Sequence, residues 1–133
     1  MVNSQPERHR LPQTTPKPWG KEVLYAFHQD KYAAKLLYIQ SGHQTSKQYH
    51  DQKVETLLVV AGQCRVSLGP PDDLTIILNP WNFIHITPKR VHRIQAVTDC
   101  TIIEVSTTQL DDVIRLADDY GRIPLAENGL LEP

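Results

Sequence analysis

Nowhere in this chain does an apolar run approach the ~20 residues needed to cross a bilayer. The opening MVNSQPERHR also lacks the apolar centre of a signal peptide, so the expected location is the cytoplasm, with no membrane partner. Charge of one sign is missing too. Fourteen Lys and Arg against fifteen Asp and Glu leave a net charge of -1, which offers no basic footprint for nucleic acid. Cysteine is scarce: Cys64 and Cys100 stand alone in strand-like segments, without Cys-x-x-Cys spacing. That pattern favours two buried free thiols over a disulfide or a metal role. Internal repeats and low-complexity tracts are absent. The 133 residues suffice for one core and leave little room for a second domain.

What the chain does have is strands. KEVLYAFH, YAAKLLYIQ, VETLLVVA, QCRVSL, LTIIL, NFIHIT, VHRIQAV and CTIIEVST follow one another, separated by turn signals at Ser41-Gly42, Gly69-Pro70-Pro71-Asp72-Asp73, Asn79-Pro80 and Pro88. Eight short strands at such spacing predict an all-β jelly roll or barrel. Residues 1–18 are polar and hold four of the ten prolines, which reads as a flexible or extended arm. The folded domain is expected over 19–123, with a tail over 124–133. One segment, QLDDVIRLADDYG (109–121), reads as a short C-terminal helix, with Val113, Ile114 and Leu116 on one side and Asp111 and Asp112 near its positive end.

The stretch GHQTSKQYHDQKVETLLVVAG, from Gly42 to Gly62, carries the chemistry. Gln48 and His50 are two residues apart, so an extended strand points both to one face. Glu55 follows after a short, turn-forming, charged spacer. One imidazole, one carboxylate and one amide oxygen suit a single divalent ion: zinc, iron, manganese, cobalt or nickel. His92, in ITPKRVHRI, is the expected fourth ligand. A solvated surface hairpin explains any one of these residues taken alone, but not the whole arrangement with its glycines.

This spacing resembles the first cupin motif, with Gln48 in place of its first His. The second motif resembles Thr87-Pro88-Lys89-Arg90-Val91-His92, with Thr87 for Pro and Lys89 for Gly. Trp81 and Ala96 depart from the family pattern as well. Lys89 must therefore take a backbone shape that Gly takes freely. The segments KPWGKEVLYA, KLLYIQSGHQTSKQYH, ETLLVVAG, VHRI and LDDVIRLADDYGR narrow the match. From Lys17 to Arg122 they resemble the mannose-6-phosphate isomerase domain that ends the bifunctional mannose-1-phosphate guanylyltransferases, and small free-standing cupins related to it. The resemblance implies a cupin jelly-roll barrel (a double-stranded β-helix). It also implies a Gln48–His50–Glu55–His92 metal set and interconversion of mannose 6-phosphate and fructose 6-phosphate. A non-catalytic sugar- or metabolite-binding cupin that keeps the metal is the alternative, and a metal-dependent oxygenase is a third reading. The nucleotidyltransferase part is absent from this sequence, so sugar-nucleotide synthesis does not follow.

Around the expected barrel mouth, Lys35 matches a Lys of the isomerase relatives and shares the inward parity of Leu37 and Ile39. It either holds an anionic group of the substrate or snorkels at the end of its strand. Lys89 and Arg90, with Lys47, are the other expected phosphate contacts, or else plain solvated side chains. Arg93, next to His92, alternates to the opposite face and reads as a structural ion pair. The sequence points to no dedicated catalytic base. Runs such as TLLVVA and TIIEV are apolar on both strand faces, which a two-sheet sandwich does not require of itself. They predict a homodimer, unless the chain's own arm or helix covers the outer face.

Overall fold

A computed structural model describes residues 11–70 and 73–123. Among these residues eleven strands follow in order: β1 (Gln13–Lys17), β2 (Gly20–His28), β3 (Tyr32–Ile39), β4 (Lys47–Tyr49), β5 (Glu55–Ala61), β6 (Cys64–Leu68), β7 (Leu74–Leu78), β8 (Phe83–Ile86), β9 (His92–Ala96), β10 (Cys100–Ser106) and β11 (Ile114–Ala117). All pair antiparallel. They form a six-stranded sheet, ordered β1-β2-β3-β10-β5-β8, and a five-stranded sheet, ordered β11-β4-β9-β6-β7. The eight strands expected from the sequence are all present, and the all-β jelly roll is the fold.

Alternation builds the core. Along β6, Cys64, Val66 and Leu68 are buried while Arg65 and Ser67 face out; along β9, His92, Ile94 and Ala96 are buried. Their partners in the facing sheet include Ile39, Leu57, Val59 and Ile102, each essentially inaccessible to water. Full burial of such side chains stabilises by about 1.5–3 kcal/mol apiece, an upper range because the unfolded chain already hides some of this surface. Cys64 and Cys100 are both buried free thiols. Their sulfurs meet each other, and that hydrogen bond together with burial pushes the Cys64 thiol up.

Two expectations change. The segment read as a helix contains none; among the described residues no helix forms at all. Residues 109–112 turn, and Ile114–Ala117 become β11, pairing with β4 through Ile114↔Tyr49 and Arg115↔Gln48. An isolated helix of this length is marginal in water. The β-branched Val113 and Ile114 suit a strand, and the edge of β4 offers them backbone partners. Asp112, expected to complement a helix end, instead accepts the backbone N–H groups of Asp51, Gln52 and Lys53 at 2.9, 2.7 and 2.9 Å. Within the stretch read as an arm, Gln13–Lys17 is strand β1, at the edge of its sheet, where Pro16 costs no interior ladder bond. Residues 1–10, and the expected tail at 124–133, lie outside the described residues.

The motif positions have the backbone that the sequence demands. Lys89 lies at φ 71° and Trp81 at φ 73°, the left-handed region that Gly takes freely. Each is fastened by its own N–H, Lys89 to the His50 carbonyl at 2.6 Å and Trp81 to the Val59 carbonyl at 2.7 Å. Gly62 (φ 79°) closes the first motif, and a Cβ there would lie 2.0 Å from the Asp99 carbonyl oxygen.

Candidate metal centre

The two sheets bring the motif residues together from opposite walls. Gln48 sits on β4 and His50 just after it; His92 opens β9; Glu55 opens β5 in the other sheet. Gln48 and His92 are direct cross-strand partners. His50, Glu55 and His92 are buried, with 2–4 % of their surface exposed. Their potential ligand atoms all lie within 4.8 Å of one another. Glu55 Oε2 is 3.2 Å from His50 Nε2 and 3.3 Å from His92 Nε2, and the imidazole centroids are 5.0 Å apart.

Outer contacts fix which nitrogens face inward. His50 Nδ1 donates to the Asp112 carbonyl at 2.6 Å, and His92 Nδ1 donates to the Arg90 carbonyl at 2.9 Å. A nitrogen that donates to a carbonyl carries the hydrogen, so in each neutral ring Nε2 is the lone-pair atom. Two imidazole lone pairs and a carboxylate oxygen therefore converge on one space. Without a cation they would repel one another. Protonating both rings would bury two imidazoliums with one carboxylate, at a desolvation cost of several kcal/mol per ion. A single divalent ion satisfies all three donors, and backbone carbonyls bonded to the outer ring nitrogens are the usual support of such ligands. Gln48 Oε1 accepts from Ser46 Oγ at 2.6 Å and keeps a second lone pair for a ligand role. The donor set fits a metal.

Lys53 and Glu104 also belong to the site, and the sequence reading singled out neither. Lys53 Nζ lies 3.3 Å from Glu55 Oε1 and 3.0 Å from Glu104 Oε2, and all three residues are buried. Burial works against the Glu55 charge, and the neighbouring Lys53 ammonium supports it. Glu104 goes the other way, because burial and the neighbouring Glu55 charge push it up and one ammonium must serve two carboxylates. Lys53 carried a signal in hindsight, being a Lys that enters the apolar run VETLLVVA two positions before Glu55. Glu104 sat in CTIIEVST as the one charge of a buried strand.

These groups line a cavity of about 110 Å³, together with Gln48, His50, Glu55, His92 and Lys35. Lys35 does point inward, and its Nζ pairs with Glu22 at 2.6 Å. Lys89 and Arg90 are not brought to this cavity. Their turn runs past the His50 carbonyl and leaves Lys89 exposed, paired with Asp51 at 2.8 Å. Lys47 does not line the cavity either. The cations that replace them are Lys17, Arg115 and Arg122. Arg115 enters through β11, the strand that folds where a helix was expected. Arg93 makes the structural pair anticipated for it, with Asp119 at 3.2 Å.

The chain has known relatives. The sequence profile of the family described as mannose-6-phosphate isomerase C-terminal matches residues 4–118. Mannose-1-phosphate guanylyltransferase of Escherichia coli (strain K12) is 31% identical over 121 residues, covering 86% of this chain and 24% of that protein. The ManC enzyme of Salmonella typhimurium is 30% identical over the same shares. This chain thus spans about a quarter of the length of those curated relatives. Among solved structures, KdgF from Halomonas sp. superposes with a TM-score of 0.66 at 18% identity, covering 77% of this chain and 89% of its own. The capsular polysaccharide assembling protein CapF from Staphylococcus aureus gives a TM-score of 0.64 at 13% identity, over 94% of this chain and 34% of its own. Oxalate decarboxylase from Bacillus subtilis gives 0.69 at 11% identity, over 79% and 30%. At such identities these likenesses speak for the fold, and the fold is a cupin. With the family profile matched over most of its length, the chain belongs to the mannose-6-phosphate isomerase C-terminal family of cupins.

Proposed function

We propose that this protein is a metal-dependent cupin acting on a sugar phosphate, with mannose 6-phosphate and fructose 6-phosphate as the pair it interconverts. The observation that carries the metal is the convergence of His50 Nε2, His92 Nε2 and Glu55 Oε2, each buried and each a lone-pair donor. Gln48, His50, Glu55 and His92 hold the ion, zinc being the best match to this donor set. Family membership and relatives of the guanylyltransferase class support the substrate.

Aldose–ketose isomerisation removes a proton from the carbon beside a carbonyl and returns one to the carbonyl carbon, while the hydroxyl proton passes to the former carbonyl oxygen. A bound divalent ion supplies electrophilic stabilisation of the sugar oxygens. The chain's own groups do the rest. Glu104 lines the cavity, and burial with the nearby Glu55 charge pushes its carboxyl up, which suits a group that exchanges a proton with the substrate. Lys53 holds Glu55 and Glu104 at fixed separation. Lys35 faces the substrate's anionic end.

The test is an assay of mannose 6-phosphate conversion by the zinc-loaded protein, with metal content measured on the same sample. Turnover should stop on chelation, and His50→Ala or His92→Ala should lose the ion, whereas His43→Ala should keep it. His43 bonds Tyr120 at 2.8 Å and is not a member of the triad. Binding of the sugar phosphate without turnover would replace the isomerase by a metal-containing binding protein. Tight iron with dioxygen consumption would favour an oxygenase. A protein that binds no divalent ion would end the reading.

A further inference from the structure

The inner cavity, about 110 Å³, is too small to enclose a sugar phosphate, but it opens beside β11 into an outer groove of about 440 Å³. Lys17, Glu22, Lys35, Leu110, Val113 and Arg115 line both spaces, so they mark the junction. Three of these six are cations and one is a carboxylate.

The local charge is unbalanced. Glu22 pairs with two ammonium groups, Lys17 at 2.9 Å and Lys35 at 2.6 Å, while Asp111 lines the outer groove and Glu104 the inner cavity. Arg115 adds a third cation, and its Nε is buried without a hydrogen-bond partner among the described residues. The nearby Asp118 is instead engaged by Arg122 in a two-point bond at 3.0 and 2.8 Å. An unpaired buried N–H is costly, and a site tolerates it where a ligand oxygen completes it. The guanidinium fork suits a planar or tetrahedral oxyanion.

The sheets place this group relative to the metal centre. In one sheet Arg115, Gln48 and His92 are successive cross-strand partners; in the other, Lys35, Glu104 and Leu57 are. In each sheet the cation therefore stands two strands from a wall of the triad, about 10 Å at 4.8 Å per strand. Arg115 and Lys35 occupy opposing sheets on the same flank of the cavity.

We infer that Arg115 and Lys35 form an oxyanion clamp at this junction, one that grips the doubly charged phosphate end of a ligand whose other end reaches the His50–Glu55–His92 group. Glu22 holds Lys35 in place until the ligand arrives and shares that cation with it afterwards. The clamp deepens the proposed function and rests on it for what the far end of the ligand does. Anion recognition itself needs no turnover.

The test is calorimetric titration of the full chain with mannose 6-phosphate, inorganic phosphate and mannose, with metal present and after chelation. Wild type should bind mannose 6-phosphate at least about tenfold more tightly than mannose. Arg115→Gln and Lys35→Gln should each weaken mannose 6-phosphate by about tenfold or more, the worth of a charge-assisted hydrogen bond, and leave mannose unchanged. Cobalt affinity, read from its visible spectrum, should not move in either variant, and the exposed Lys31→Ala should behave as wild type. Arg115→Lys keeps the charge without the fork and should fall between, which guards against a misfolded Gln variant. Mannose 6-phosphate affinity within twofold of wild type in both Gln variants would overturn the clamp. So would equal affinity for mannose and its phosphate, or no binding of either phosphate by the folded wild type. Loss of turnover or metal with this phosphate preference intact would sink the isomerase reading and leave the clamp standing.

Discussion

Removing the ammonium of Lys53 is the sharpest probe of how this interior is held together. Lys53 lies 3.3 Å from Glu55 and 3.0 Å from Glu104, and none of the three exposes more than 7 % of its surface. Lys53→Met keeps the length and apolar character of the stem but leaves two buried carboxylates with no cation between them. Breaking a buried ion pair on one side costs about 3–5 kcal/mol, because the remaining charge is stranded. Against a typical total of about 5–15 kcal/mol this is a large loss. In metal-free protein at pH 7 the urea midpoint should fall by on the order of 2 M. The sign with pH is definite. Burial and Glu55 already push Glu104 up, and without Lys53 it rises further. A carboxyl raised in the folded state makes stability fall as pH rises above the unfolded value, about 4.3, toward the folded one. The variant should therefore recover stability on moving from pH 7 toward pH 5. Adding Glu104→Leu should restore most of the loss at pH 7, since an apolar replacement removes a stranded charge. The reasoning fails if Lys53→Met stays within about 1 kcal/mol of wild type at pH 7, or shows the same pH dependence as wild type.

Further expectations concern the backbone, the acid limb and assembly. Gly42→Ala should cost about 1–2 kcal/mol, for its φ of 82° alone, because the space around it is open. Gly62→Ala should cost clearly more, since its Cβ would lie 2.0 Å from a backbone oxygen, and thermal melts of the two variants give the comparison. Lys35 and Lys17 hold the Glu22 carboxyl below its usual value against the opposing effect of burial. Its contribution is present above about pH 4.3 and is lost as pH falls through the lower folded value. Denaturation of Glu22→Gln should thus show a deficit at pH 6 that closes in acid, and a pH-independent deficit would contradict the pairing. Thr56, Leu58, Phe83, Ile103 and Val105 form an apolar patch on the outer face of the six-stranded sheet, with Phe83 60 % exposed. We expect a homodimer burying at least about 1,200 Å² there, and Phe83→Glu should shift sedimentation to the monomer. A wild type that sediments as a monomer at micromolar concentration would remove this role from the patch.

The sequence by itself determined whatever depends on local pattern. Period-two patterning marked eight strands and the Gly42–Gly62 spacing marked the triad's first members, while resemblance to a cupin motif that has Gly where Lys89 stands marked a left-handed residue, found at φ 71°. Each of these follows from backbone geometry within a few residues. Tertiary structure decided what depends on distant partners. Whether residues 114–117 became helix or strand rested on the free edge of β4, some 65 residues earlier in the chain. Hydrophobic side chains spaced for a helix also served a four-residue strand, and the edge's unpaired backbone groups settled the choice. The same pairing carried Arg115 to the cavity and drew Asp112 onto the backbone of 51–53. Lys89 and Arg90, close to His92 in sequence, lie away from the cavity, while Lys53, just before β5, and Glu104, on β10, meet at 3.0 Å. Proximity along the chain fixed the candidate ligands of one motif. Which charges surround them was fixed by the sheets, because burial and electrostatics act through space.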